Sequence, residues 1–194
     1  MGETVVGLVE ELEVMEPVRV GEVVVVPLRR KRPAKIDYTV LDEAVETGAV
    51  TVTEVGEEGS VPELEVENKG DKPVLLPEGD VLRGGKQNRT LNTSFFVMPG
   101  KKLRVDVSCV EQGRWRWRRE EFSSTSELFM LLRRMKSEST TQMLRRTGRA
   151  GSDQLKVWEG VKEFAMLTGF GSDTADIEEM MRKKEAAEGV KVPE

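Results

Sequence analysis

The chain has 194 residues, 38% of them hydrophobic and 34% charged, with a net charge of −5. That suits one substantial domain with a modest core, or a domain with a helical appendage. With one cysteine and no histidine, an internal disulfide is impossible, the commonest general base is missing and the usual zinc ligands are absent.

No cofactor can be named and no metal site is assigned, although carboxylate-bound magnesium or manganese stays open. No apolar run approaches the roughly 18–20 residues of a membrane span. Met1-Gly2-Glu3-Thr4 lacks the basic start of a secretory signal. A cytoplasmic location without membrane contact is the expectation. The charge is unevenly spread: residues 1–82 hold 19 acidic and 8 basic side chains, residues 83–149 hold 6 and 16, and residues 150–194 hold 10 and 6. A basic block between acidic flanks points to an anion-facing surface, or to segments that neutralise one another on folding.

In chain order, residues 3–9 read as a short strand, and residues 10–20 as a turn and a second strand. Residues 22–28, with four consecutive valines, read as the clearest buried strand. A basic, proline-containing loop over 29–35 leads to an extended Asp37–Val40. Leu41–Thr47 is predicted as a short helix, with acidic residues in its first turn and Gly48 as a left-handed cap. Residues 49–55 and 61–67 alternate as half-buried strands do. Asn68-Lys69-Gly70-Asp71 is a turn, and Val74-Leu75-Leu76 resumes the sheet.

Leu91–Val97 and Leu103–Val110 continue it as a hairpin around Pro99-Gly100. Arg114–Arg118 alternates strictly and predicts a strand with Trp115 and Trp117 on one face. After Phe122 the period becomes helical. Ser124 and Glu127 form a predicted capping box before a stripe of Leu128, Leu131, Leu132 and Met135. Ser152 is the predicted cap of a second helix, and a third runs over about 174–188. The fold expectation is therefore α+β: a mainly antiparallel β-sandwich or roll over about residues 3–118, followed by two or three packed helices. The chain reads as a single domain over 1–194, β-rich over 1–120 and helical over 124–188.

Candidate site residues cluster between Glu78 and Trp117. Gly84 and Gly85 let backbone N–H groups converge on an anion, and Lys86 and Arg89 add charge. The spacing matches neither a Walker loop nor GxGxxG. Gln87, Asn88 and Asn92 are carboxamides in strand-poor company and suit directed hydrogen bonds to a polar ligand. Glu111 and Glu78 are the candidate catalytic carboxylates, and Arg114 a second phosphate holder. Each has a plain alternative in turns, caps and solvated faces. Cys109 falls on an apolar strand face and reads as a buried, inert thiol. Trp115 and Trp117, among arginines, could instead stack on nucleic acid.

GGKQNRTLNTS, SCVEQGRW and SDQLKVW, with VVVVPL and VPELEVEN upstream, resemble a domain family named for its association with ADP-ribosylglycohydrolases and rhodanese-like phosphatases. The similarity covers roughly Gly21 to Trp158. Lys86, Gln87, Asn88, Arg89, Asn92, Glu111, Arg114 and Gln154 match its motif positions without inherited roles. The resemblance implies a setting of ADP-ribose, NAD or RNA-end metabolism. The expected function is binding of an anionic, nucleotide-like ligand, with hydrolysis or transfer as the reaction class if there is turnover. The alternatives are a non-catalytic module for single-stranded RNA, or a scaffold for a partner hydrolase.

Overall fold

The structure, a computed structural model, describes residues 9–32, 36–56, 60 and 62–188. The strand expected over 3–9 lies outside these residues except for Val9. The sequence reads as one domain; in the structure the chain groups into two compact units, residues 1–37 and 38–194.

In the first unit, β1 (Leu12–Val14), β2 (Val18–Val20), β3 (Val23–Val25) and β4 (Leu28–Arg30) make one long antiparallel hairpin. Val20 pairs with Val23 at its tip and Leu12 with Arg30 at its base. Gly21, at φ +60°, supplies the left-handed residue of the tip. Ion pairs Glu13–Arg29 and Glu11–Arg30, both at 2.9 Å, tie the two arms. The expectation of a buried strand at 22–28 is corrected here: Val23, Val24, Val25 and Val26 are all exposed. β-propensity selected the right conformation. In a two-stranded ribbon, however, side chains alternate between two open faces, so pairing does not bring burial.

The second unit holds β5 (Thr39–Val40), α1 (Leu41–Glu46), β6 (Val50–Glu54), β7 (Glu63–Asn68), β8 (Val74–Leu76), β9 (Asp80–Arg83), β10 (Arg89–Leu91), β11 (Phe95–Val97), β12 (Lys102–Cys109) and β13 (Ser123–Glu127). Helices α2 (Met130–Thr147), α3 (Gln154–Thr168) and α4 (Ile177–Glu188) follow. The main sheet is antiparallel throughout, in the order β13-β9-β10-β12-β7-β6. Its two edges nearly meet: Thr53 bridges Glu121, and the Phe122 N–H donates to the Val52 carbonyl at 2.9 Å. The result is a β-roll on the way to a closed barrel, as the alternating pattern predicts.

Val50, Val52, Leu64, Val66, Leu82, Leu91, Val105 and Val107 fill it, together with Leu41 and Ala44 of α1. The smaller sheet β11-β8-β5 adds Val74, Leu76 and Val97 to the same core. A second core sits among the helices, with Leu128, Leu132, Val157, Val161, Phe164, Ile177 and Met180.

Three local expectations are corrected. Ser123–Glu127 is not a capping box but strand β13, paired with β9; the helix starts at Met130, with Phe129 as its cap. The edge of β9 offers backbone groups that need partners, and this outweighs the local helix signal. Ser152 does not cap α3: the Asp153 carboxylate does, accepting from Leu155 N–H at 3.1 Å. Arg114–Arg118 is irregular rather than a strand, and both tryptophans are about half exposed. Arg114 turns inward there, and that breaks the alternation.

Candidate functional site

Two carboxylate–guanidinium pairs lie close together where β6, β10 and β12 share one end of the sheet. Glu111 follows directly on β12. Its Oε1 accepts from Arg114 Nε at 2.8 Å and from the Thr174 hydroxyl at 3.0 Å. Its Oε2 accepts from Arg114 Nη2 at 2.7 Å and from the Asn88 N–H at 3.0 Å. Arg114 also donates from Nη1 to the carbonyls of Gly85 and Arg116, both at 2.8 Å, and from Nη2 to the Gly84 carbonyl at 3.1 Å and Asn88 Oδ1 at 3.2 Å. All three guanidinium nitrogens are thus engaged by the protein. The sequence reading asked Arg114 to hold phosphate; its donors are already committed.

Asn88 extends the network by donating to both Asp176 oxygens at 3.0 Å. Asp176 also accepts from the Glu178 N–H at 3.1 Å. The segment before α4 is thereby clamped to the end of β12, helped by Gly113 N–H to Thr174 O at 2.8 Å. Burial alone would raise the Glu111 carboxyl, but the bonds from Arg114, Asn88 and Thr174 outweigh it and hold the group below its ordinary value. A carboxylate so stabilised is a poor proton acceptor. Asp176 moves the other way: burial and the neighbouring Glu111 charge push it up. Burial acts on both carboxylates in the same direction, and the hydrogen bonds and the Arg114 charge at Glu111 drive the two apart.

The glycine loop serves the same packing. The N–H of Gly84 goes to Asn88 Oδ1 at 3.3 Å, that of Gly85 to the Arg119 carbonyl at 3.0 Å, and that of Lys86 to Glu54 Oε1 at 3.1 Å. These N–H groups are therefore occupied rather than gathered around an anion. Gly85 has φ +45°, and a Cβ there would sit 2.5 Å from Glu54 Oε1 and 2.4 Å from the Phe122 ring. The turn needs a glycine both for its backbone and for the carboxylate packed against it.

The second pair is Glu54, at the end of β6, with Arg89, at the start of β10. Both side chains are buried, yet Arg89 Nη2 and Glu54 Oε1 are 3.7 Å apart, beyond hydrogen-bond reach. Arg89 Nη1 donates to Gln87 Oε1 at 2.9 Å and to Cys109 Sγ at 2.8 Å. Arg89 Nε, Arg89 Nη2 and Glu54 Oε2 have no hydrogen-bond partner. The Trp115 ring lies 5.8 Å from the Arg89 guanidinium carbon. Burial raises the Cys109 thiol, and the Arg89 charge only partly offsets this, so the inert reading of that thiol fits its surroundings.

Glu54 also forms part of the wall of a cleft of about 720 Å³, lined by Thr53, Gly56, Trp117, Arg118, Arg119 and Glu120 as well. Lys86 Nζ sits between the two tryptophans, 5.6 Å from the Trp115 ring and 5.3 Å from that of Trp117. Arg118 reaches within 3.9 Å of Glu111 Oε1 from the cleft side.

The remaining sequence candidates lie elsewhere in the packing. Glu78 pairs with Lys136 at 2.6 Å and Arg133 at 3.1 Å, so it anchors α2 and shares no partner with Glu111. Asn92 accepts from Ser108 at 2.7 Å, and its Nδ2 is without a partner. Gln154 takes both backbone groups of Cys109, each at 2.8 Å, and so completes the strand end as a neighbouring strand would.

Sequence reasoning missed Glu54 and Asp176. The signal for Glu54 was present: Val50, Val52 and Glu54 share one phase of an alternating strand, which places a carboxylate in line with two core valines. Asp176 offered none that separates it from an ordinary acidic residue ahead of a helix. Among the described residues no group of histidine, cysteine, aspartate or glutamate has the arrangement of a metal site.

Roll, clamp and cleft together define an α+β protein whose buried ionic chemistry gathers at one end of a nearly closed sheet. The chain belongs to the ARG and Rhodanese-Phosphatase-superfamily-associated Protein domain family, whose model matches residues 11–191. That match extends beyond Trp158 and takes in α4, whose leading segment supplies Asp176. No curated protein and no solved structure matches the chain. No helix among the described residues is long and apolar enough to cross a membrane.

Proposed function

We propose that the protein binds an anionic, nucleotide-like ligand in the cleft beside Glu54. The observation that carries this reading is the composition of one concave wall. Trp117 offers a stacking face, Arg118 and Arg119 offer charge for phosphate, and Lys86 lies against the same tryptophan. The family's name associates the domain with ADP-ribosylglycohydrolases and the rhodanese-phosphatase superfamily. ADP-ribose is therefore the first ligand to try.

In this reading the residues singled out from sequence divide by task. Lys86 lies against Trp117 of the cleft wall and Arg89 lies next to Glu54 of that wall, with Gln87 orienting Arg89. Gly84, Gly85, Asn88, Glu111 and Arg114 shape the loop that positions them, while Glu78 and Gln154 join strands to helices and Asn92 ties the end of β10 to β12. If turnover occurs, Glu54 takes the place that the sequence reading gave to Glu111 and Glu78, because it alone of the three borders the cleft.

Calorimetry with ADP-ribose tests the proposal. Trp117→Ala and Arg118→Ala are each expected to weaken binding by about tenfold or more. Unchanged affinity in both variants would remove the reading.

A second reading has its own support. Trp115 and Trp117 stand about half exposed on an arginine-rich segment, as a stacking platform for single-stranded RNA does. It requires affinity that falls steeply with salt, and flat salt dependence excludes it.

A further inference from the structure

From the Arg89–Glu54 pair we infer that the cleft wall at Glu54, together with the Arg89 buried next to it, is a subsite for the vicinal hydroxyls of a ribose. The inference rests on the nucleotide reading above and adds which part of the ligand meets which atoms.

Arg89 carries five N–H donors: two on each terminal nitrogen and one on Nε. Gln87 Oε1 and Cys109 Sγ use those of Nη1. The Nε and Nη2 edge, which is the forked edge of the guanidinium, has no acceptor. Glu54 has the complementary deficit. Its Oε1 takes the Lys86 N–H, and its Oε2 takes nothing. Both side chains are buried, and unmet buried donors and acceptors are costly.

The pair is held from closing on itself. Arg89 is anchored through Nη1, with its guanidinium over the Trp115 ring. Glu54 is anchored by the Lys86 N–H and seated in the space that the missing Cβ of Gly85 leaves. What remains is a lone acceptor on Glu54, which borders the cleft, and a donor fork on Arg89, which is fully buried and lies 3.7 Å from Glu54.

The chemistry of the missing partner follows from that mixture. A phosphate accepts but does not donate, so it would meet Glu54 as a like charge. An ammonium donates but does not accept, so it would meet Arg89 as one. A hydroxyl does both, giving its proton to Glu54 Oε2 and taking an N–H from Arg89. A vicinal diol supplies two such groups on adjacent carbons, enough for the acceptor and both nitrogens of the fork. A nucleotide stacked on Trp117, with its phosphates toward Arg118 and Arg119, carries such a diol.

The test is calorimetry with ADP-ribose and with two analogues, each lacking the vicinal hydroxyls of one ribose. One analogue is expected to bind at least about tenfold more weakly, because a site built around a hydroxyl is left unpaired by its loss. Glu54→Gln is expected to weaken ADP-ribose and erase the difference between it and that analogue. If ADP-ribose and both analogues bind the unaltered protein equally, the diol subsite is wrong and the nucleotide reading stands. If ADP-ribose does not bind at all, the nucleotide reading fails and takes this inference with it. The ligand series on the unaltered protein decides the matter even if Glu54→Gln folds poorly.

Discussion

Glu111–Arg114 and Glu54–Arg89 are the same chemical pair in two conditions. In the first, carboxylate and guanidinium touch at 2.7 and 2.8 Å, and neighbouring backbone and side chains engage what is left over. In the second, the closest approach between charges is 3.7 Å, and three polar atoms have no hydrogen-bond partner. Burial is nearly equal, so solvent exposure does not separate them. Saturation does. A saturated pair holds the loop at Gly84-Gly85, the turn at Arg114 and the segment before α4 in one arrangement. The unsaturated pair keeps hydrogen-bonding capacity in reserve, next to a cleft.

The contrast can be broken most forcefully at Arg114. Removing one member of a buried, hydrogen-bonded ion pair leaves an uncompensated charge, and the expected loss is about 3–5 kcal/mol of folding stability for Arg114→Ala. Denaturant titration would show it as a lowered midpoint. Glu54→Gln should lose clearly less, since it breaks no hydrogen bond to Arg89 and its Oε1 can still accept from Lys86. Equal losses would mean that the two pairs do not differ as described.

A smaller effect is expected at the residue that seats Glu54. Gly85→Ala puts a side chain at positive φ and into contact with both Phe122 and the carboxylate. A cost of about 1–3 kcal/mol is expected, along with weaker ligand binding from a displaced Glu54. A variant as stable as the parent would show that the close approach at Gly85 is not required.

The smallest effect is in the acid limb of stability. The folded state holds Glu111 below its ordinary value of 4.5. Its contribution is therefore present above the unfolded value and is lost as pH falls through the folded one. Asp176 is raised from 3.8 and has the opposite slope, since its contribution falls as pH rises above that value. Melting temperature should thus decline below about pH 4.5 in the parent, and Glu111→Gln should flatten that decline. An unchanged acid limb would show that Glu111 is not the group responsible.

Much of the fold was legible in the sequence, because local period and tertiary burial agreed. Val50/Val52, Leu64/Val66 and Val105/Val107 alternate in the sequence and line the roll. Gly48, Gly148 and Gly169 end helices in the left-handed conformation that their positions imply. The failures came where a distant partner decided. The valines at 23–26 lack a covering layer. Ser123–Glu127 became a strand because β9 needed a neighbour. Arg114 left its alternating run to reach Glu111. The polar stretch from Gly84 to Asn92 was recognisable as unusual, but composition cannot say whether such groups satisfy one another or await a ligand. That depends on how donors and acceptors match across β6, β10 and β12, which only the folded chain decides.

Nitrogen-15 spectra of the arginine side chains report most directly on the difference between the two pairs. On titration with ADP-ribose, the Nε–H resonance of Arg89 should shift as its fork gains an acceptor, while that of Arg114 stays in place. Movement of Arg114 with Arg89 unmoved would contradict the account, because the saturated pair would then be the one that meets the ligand.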